Sequence, residues 1–286
     1  MNERLEKWLL AGAPTLFMLA LFAVPSAIML LASFRYPGEY GGLAPMSEGR
    51  GLTLETYRFF FSDFIYIRVF IKSIIMASLT TAFCLLLAYP LALLMSRSPQ
   101  RRRNAMLLLV ILPFASNFLI RVYAWMLLLG PQSALNRIVN ALLGLFGFAH
   151  VQLLFSPFAV LVAMVYAHLP FMVLPLYANL VRHDPLLLDA AQDLGANSWQ
   201  RFWRVTFPLS LPGVYSGSAL VFIPALGMFV IPEILGGTRD MLIGNLIKEQ
   251  FLVARDWPFG SALAIMLTLS VMLIAWIAGR MGARHA

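Results

Sequence analysis

Apolar positions dominate six stretches of this chain, roughly 8–34, 69–95, 104–129, 157–181, 213–233 and 260–279, and the polar positions collect between them. Each stretch reaches or exceeds the ~20 residues a helix needs to cross a ~30 Å hydrocarbon core. The pattern predicts an all-α membrane protein, one membrane domain over 1–286 with six transmembrane helices. The first stretch follows Met1-Asn-Glu-Arg-Leu-Glu-Lys7. It is longer than the ~7–15-residue apolar core of a signal peptide and no small-residue cleavage site follows it, so it is expected to be retained.

Composition agrees with the pattern. Of 286 residues, 60% are hydrophobic and 12% charged, with mean hydropathy +0.80. A soluble domain of this length cannot hide so much apolar surface. The single cysteine, Cys84, lies in an apolar run and excludes a disulfide framework. It reads as a small buried hydrophobe.

The net charge of +8 does not point to nucleic acid, because no nucleic-acid-binding module is present and basic loops orient membrane proteins. With both termini inside, the inner segments carry Arg4, Lys7, Arg97, Arg101, Arg102, Arg103, Arg182, Arg201, Arg204, Arg280 and Arg284. The outer segments carry Arg35, Arg50, Arg58, Arg68, Lys72, Arg137, Arg239, Lys248 and Arg255. The inner segments are much shorter, so basic density is higher inside, and Arg97-Ser-Pro-Gln-Arg-Arg-Arg103 is the strongest anchor. On the outer side, Leu135, Ile138, Val139, Leu142 and Phe146 share one helical face, which predicts a short interfacial helix over 134–146.

The 182–212 loop carries its own helical punctuation. Asp184-Pro185 starts a helix, the carboxylate accepting from free N–H groups and proline losing no bond at the first helical position. Leu186 to Leu194 reads as helix, with Asp189 in its first turns where the dipole favours an acid. Gly195 can take the left-handed conformation that ends it. Asn197 or Ser198 can cap a second helix, Trp199 to Thr206, which Pro208 and Pro212 are expected to stop. Leu187, Leu194, Trp199, Phe202 and Trp203 are apolar anchors, and Ala190 and Ala191 allow close approach. Such a loop fits a groove on another protein. It fits packing beneath its own membrane helices as well.

The spacing within this loop carries a resemblance. Asp189-Ala190-Ala191, three residues, Gly195, nine residues, Val205, one residue, Phe207-Pro208 resembles the EAA motif of ABC importer permeases, with Asp189 in place of the usual Glu, Val205 of Ile and Phe207 of Leu. The resemblance implies the type I permease fold, with coupling helices over 185–206 in a cytoplasmic loop that seat in a cleft of the ATPase subunit. The residues expected to make that contact are Asp189, Ala190, Ala191, Gly195, Trp199, Phe202 and Pro208. Pro113-Phe114, Leu119-Ile120-Arg121, Leu169-Pro170-Phe171-Met172, Leu242-Ile243-Gly244-Asn245 and Arg255-Asp256-Trp257-Pro258-Phe259-Gly260 are similar to the spermidine/putrescine importer permeases, and most to the first of the two permeases in those systems. That resemblance spans about residues 10 to 280. It implies a binding-protein-dependent importer in the bacterial inner membrane, built with a second, homologous permease, two ATPase subunits holding ATP and Mg, and an extracytoplasmic substrate-binding protein. The implied solute is a polyamine; related permeases carry other small organic solutes or ions.

Few other residues carry chemistry. Arg121 lies within the third stretch, where an unpaired charge costs ~3 kcal/mol or more. At ~1.5 Å per residue it is ~24 Å above the inner end, near the outer interface. It reads as an anchor or structural pair, or as a gate residue that holds a carboxylate. His168 and Tyr166 read as packing residues or as part of a pathway. Glu233 ends the fifth stretch, and Asp240 and Asp256 follow in the outer loop. These acids either attract a cationic solute or are ordinary solvated charges. Prolines 90, 113, 170, 175 and 224 fall within the apolar stretches and free backbone carbonyls there.

The three lysines, Lys7, Lys72 and Lys248, include none in a phosphate-binding P-loop, so the energy source is expected on a partner. No metal-ligand cluster or nucleophile elbow is present, and the chain is not expected to be an enzyme. An ion-coupled secondary carrier would need acids near helix centres, and none is found there. A membrane scaffold without a transport role would leave the loop unexplained.

Overall fold

The computed structural model describes residues 3–45, 51–237 and 240–282, with the backbone alone at 3–11, 13, 277–279, 281 and 282. Arg50, Arg239 and Arg284, which enter the charge balance, lie outside the described residues. Among the described residues the chain is helical, and the one β pairing is an isolated antiparallel bridge between Pro37 and Leu43. Among the described residues, six stretches are long and apolar enough to cross a membrane: Pro14–Ser33, Phe64–Arg97, Phe118–Leu145, Pro157–Leu180, Ser198–Leu226 and Trp257–Trp276.

The contacts divide the chain into two units. The first joins the N-terminal residues through Arg68 to Leu246–Ser270. Its helix α1 (Glu3–Ser33) carries large apolar side chains such as Leu16, Phe17 and Phe22 in exposed positions, as a lipid-facing helix does. Helix α2 (Glu55–Ser62) presents Phe59, which meets the Phe259 ring edge-on at 5.3 Å; Tyr66 meets the same ring at 4.9 Å.

The second unit is built from most of α3 (Phe64–Arg97) through Asn245, together with Val271 onward. Helix α7 (Pro157–Leu180) is its most buried member, and it packs against α10 (Phe207–Leu226). Two glycines one turn apart explain how closely they approach. A Cβ on Gly213 would lie 2.8 Å from Asn179 Cβ, and one on Gly217 would lie 2.7 Å from Met172 Sδ. Small residues at this spacing let helices pack where water supplies no driving force. On α3, Cys84, Ala88 and Ala92 form a second small stripe, fully buried with Met95 against Met172, Val173 and Leu176. Cys84 is the buried small residue expected.

Three sequence expectations meet a different backbone. The stretch 104–129 is not one helix. Helix α4 (Gln100–Ile111) gives way to a 3₁₀ turn, Leu112–Ala115, and Ser116 is extended at φ −90°, ψ 153°. Pro113 cannot donate to an α-helical ladder. Asn117 then starts α5 (Phe118–Leu129), its side chain accepting from Leu119 N–H at 2.8 Å. The apolarity runs on past the break without revealing it.

The fifth stretch differs at both ends. Pro208 and Pro212 do not stop the second loop helix. Helix α9 (Ser198–Arg201) continues through a π-helical turn, Phe202–Thr206, directly into α10. A wider π turn gives room for a ring that would otherwise press on the carbonyl one turn back, which is why proline here does not end the helix. At the far end α10 finishes at Leu226, and Glu233 sits on a separate short helix, α11 (Val230–Leu235).

A helix does form where the short interfacial one was expected, α6 (Ala134–Leu145), within the apolar stretch Phe118–Leu145 and started by Ser133, whose side chain accepts from Asn136 N–H. Its apolar residues Ile138 and Leu142 are exposed, while Asn136 and Asn140 are buried. Asn140 binds both ways to the backbone of Val151, donating at 3.1 Å and accepting at 2.8 Å. An exposed apolar face over a satisfied polar one suits a helix lying against lipid.

Candidate functional site

The loop after α7 is held by local chemistry. Asp184 Oδ1 accepts from Leu186 N–H at 2.9 Å and opens α8 (Leu186–Asp193), with Pro185 already helical. At the other end Gly195 takes φ +81°. Its N–H bonds to Gln192 O at 2.8 Å, and Ala196 N–H reaches back to Ala191 O at 3.0 Å. These two bonds form a Schellman closure, which a residue with a Cβ disfavours at that φ. Nothing lies within 4 Å of the position a Cβ would take, so the constraint is on the backbone and not on space.

Asn197, not Ser198, caps α9. Its side chain accepts from Gln200 N–H at 2.8 Å and the Gln200 side chain accepts from Asn197 N–H at 2.9 Å, a reciprocal capping box. Arg201 Nη1 then donates to Gln192 Oε1 at 2.7 Å and ties the two helices together. The loop is therefore a rigid pair of helices around one glycine turn.

That pair is poorly covered. Helix α8 has no buried residue, and Leu194 and Trp199 are 89% and 70% exposed. Leu186, Leu187 and Trp203 are exposed too. Asp189 and Ala190 lie on the open surface, and Ala191 is half-buried. Five large apolar groups on a well-capped loop form a surface that water serves badly.

One side of the loop is nevertheless anchored. Tyr89 of α3 meets Phe202 edge-on at 5.7 Å and Phe207 at 6.0 Å. Its hydroxyl lies 2.8 Å from Ser210 Oγ, and Ser210 donates onward to Phe207 O at 2.8 Å, so Tyr89 is the donor. Trp199, Phe202 and Trp203 stack among themselves, with Trp203 also against Phe207. Phe202 thus faces inward as a support, whereas Trp199 faces outward. Pro208 lies within α10 at the foot of the loop. Sequence reasoning missed Tyr89, Ser210, Gln192 and Arg201; only the capping signals were local enough to read.

The residues considered for a pathway are not gathered at one point. Arg121, in the first turn of α5, places its guanidinium 4.8 Å from the Phe114 ring centre and 5.7 Å from that of Phe118. Two aromatic faces thus surround the cation, an arrangement that stabilises it away from water. Its Nε is buried without a hydrogen-bond partner. Phe114 in turn meets Phe171 edge-on at 5.4 Å, and His168 lies 6.3 Å from Phe171. His168 is buried and its Nδ1–H donates to Met164 O at 2.8 Å, the satisfied packing role. Tyr166 packs edge-on to Trp125 at 5.5 Å and borders an apolar cavity of about 240 Å³ with Pro113 and Pro170.

The three acids have three different settings. Glu233 is exposed on α11. Asp240 is buried and paired with Lys72 at 2.6 Å, so it is neither a solvated loop charge nor open to a cationic solute. Burial requires such a partner. Asp256, in the first unit, caps α13 (Trp257–Gly282) by accepting from Phe259 N–H at 3.0 Å. It also borders a cavity of about 360 Å³ with Tyr36, Glu55, Phe59 and Phe259. Among the residues described, no group of three or more His, Cys, Asp or Glu side chains is placed to hold a metal ion.

Comparison with known proteins gives these features a family. The chain is 42% identical over 226 residues to the spermidine/putrescine transport system permease protein PotB of Haemophilus influenzae, covering 79% of this chain and 78% of that one. Against PotB of Escherichia coli K12 it is 41% identical over 222 residues, 77% of this chain and 80% of the relative. Its fold matches a chain of a bacterial ABC transporter involved in the import of the acidic polysaccharide alginate, with TM-score 0.74 over 99% of both chains at 21% identity. Residues 88–284, more than half of the chain and including the whole α8–α9 loop, match the binding-protein-dependent transport system inner membrane component, and the chain belongs to that family of ABC permeases.

Proposed function

We propose that this chain is one permease subunit of an ABC importer for polyamines such as spermidine or putrescine. The observation that carries the reading is the capped, tied and exposed helix pair at 186–206 with its row of uncovered apolar side chains. In this reading α8 and α9 seat in a cleft of an ATPase subunit, and Asp189, Ala190, Ala191, Gly195 and Trp199 form the contact. Phe202 and Pro208 transmit it, since Phe202 leans on Tyr89 and Pro208 lies in α10.

The full assembly has a second, homologous permease, two ATPase subunits carrying ATP and Mg, and an extracytoplasmic binding protein that delivers the solute. Both termini and the 186–206 loop face the cytoplasm, in line with the basic cluster at 97–103. ATP closes the ATPase pair, the coupling helices move with it, and two packed arrangements of the membrane helices exchange. Tyr89 ties the loop to α3, and the Gly213–Gly217 contact ties α10 to α7, so a displacement at α8–α9 reaches the bundle through packed side chains. Hydrolysis takes place on the partner. This chain supplies the path and the lever.

The polyamine assignment rests on the similarity to the PotB proteins. The aromatic and acidic lining of the outer cavity, with Glu55 and Asp256 beside Tyr36, Phe59 and Phe259, is chemistry that favours an amine cation. Uptake into proteoliposomes containing the whole assembly tests the reading. Labelled spermidine should accumulate only with ATP and the binding protein, stop with vanadate, and persist with an uncoupler. Uptake that ignores vanadate and collapses with the uncoupler contradicts it.

A further inference from the structure

The polar ends of α3, α4 and α7 and the loop beyond α7 enclose a cavity of about 450 Å³. Leu93, Leu188 and Leu209 supply apolar wall, and Arg97, Arg103 and His183 supply basic groups. Two polar atoms of the lining are buried without a hydrogen-bond partner, Arg103 Nε and Thr206 Oγ1. Thr206 is only 4% exposed. Neither atom has appreciable accessible surface, so an occupant of the cavity meets the ends of the guanidinium groups and not these two atoms.

His183 Nε2 donates to Leu209 O at 3.1 Å, which fixes the ring. Asp184 also borders the cavity, with its Oδ1 engaged by Leu186 N–H. Arg97 and Thr206 additionally border a smaller adjoining cavity of about 170 Å³, which Arg201 and Ser198 also line. Two guanidinium groups against one carboxylate leave the larger cavity positive, and guanidinium forks match the oxygens of a phosphate.

We propose that this cavity binds a phosphate group, held by the guanidinium groups of Arg97 and Arg103. The site bridges the membrane helices and the α8–α9 loop, since Leu187, Leu188 and Val205 share the same wall. An occupant therefore stiffens the loop against α3 and α4 and tunes how its movement reaches the bundle. The cavity lies at the polar end of membrane helices, where the phosphate can come from a phospholipid headgroup or from solution. The inference stands on the cavity and does not depend on the solute carried.

The test uses the full chain in dodecyl maltoside micelles, which carry no phosphate, with either phosphatidylglycerol or inorganic phosphate added. Retention in native mass spectrometry and the shift in melting temperature report binding. R103Q and R97Q should each weaken it roughly tenfold, the loss of one charge-assisted contact. R101Q removes the same charge from an exposed position on the same helix and should leave binding unchanged. Binding of phosphatidylglycerol alone assigns a lipid headgroup; binding of inorganic phosphate as well assigns a soluble source. The proposal is overturned if neither probe binds, or if R101Q loses as much as R103Q. Should R103Q not fold, unchanged binding in R97Q overturns it.

Discussion

Lys72 and Asp240 are 168 residues apart in sequence and 2.6 Å apart in space. The next residue, Ser73, accepts from Ile243 N–H at 2.7 Å, so two adjacent side chains of α3 hold the 240–243 segment. Asp240 is nearly inaccessible while the Lys72 side chain is a third exposed, so removing the lysine leaves the costlier orphan. K72M should destabilise the chain by about 3 kcal/mol, the low end for a broken buried pair. The double variant K72M/D240L should recover much of that loss. Melting of the purified chain measures both; equal destabilisation in the single and double variants contradicts the pairing.

Tyr89 supports the loop in two ways, by ring contact and by hydrogen bond. Y89F keeps the ring, and Ser210 keeps its own bond to Phe207 O, so it should cost about 1 kcal/mol or less. Y89A removes the wall behind Phe202 and should cost about 3–5 kcal/mol. Hydrogen exchange across 198–207 should rise sharply in Y89A and hardly in Y89F. Similar protection in Y89A and the parent chain contradicts the supporting role.

Gly217 sits where α10 touches Met172 and Pro175. Met172 is fully buried and cannot withdraw easily. G217A should therefore destabilise by about 1–3 kcal/mol, and G217V by more. An unchanged melting temperature in G217V would mean that α7 and α10 are not in close contact there.

How much of this was legible beforehand depended on the range of the interaction. Asp184 and Gly195 act on backbone atoms within a few residues, so their roles follow from order along the chain, as does the choice of Asn197 or Ser198 for the next cap; the Gln200 half of the capping box went unread. The break at Pro113 to Asn117 was harder, because apolar residues continue through it and lipid rewards apolarity whether or not the backbone is helical. Pro208 misled for a physical reason. Proline usually ends a helix, and a π turn just before it removed the conflict. Asp240 was invisible as an ion pair, since its partner comes from α3 and nothing local distinguishes a paired acid from a solvated one. Arg121 stood out as a charge in an apolar stretch, but its aromatic surroundings come from Phe114 on the other side of the helix break as well as from its own neighbour Phe118.

The central claim is that 186–206 is a docking element held in shape by Gly195 and presented through Asp189. Co-purification of the tagged chain with its ATPase subunit, compared among the parent, D189R and G195W, tests it most directly. G195W places a side chain at φ +81°, which costs about 1–2 kcal/mol locally and undoes the turn between α8 and α9. Both variants should insert in the membrane and melt near the parent temperature, yet lose the ATPase on purification. A stable, ATPase-bound complex in both would contradict the account.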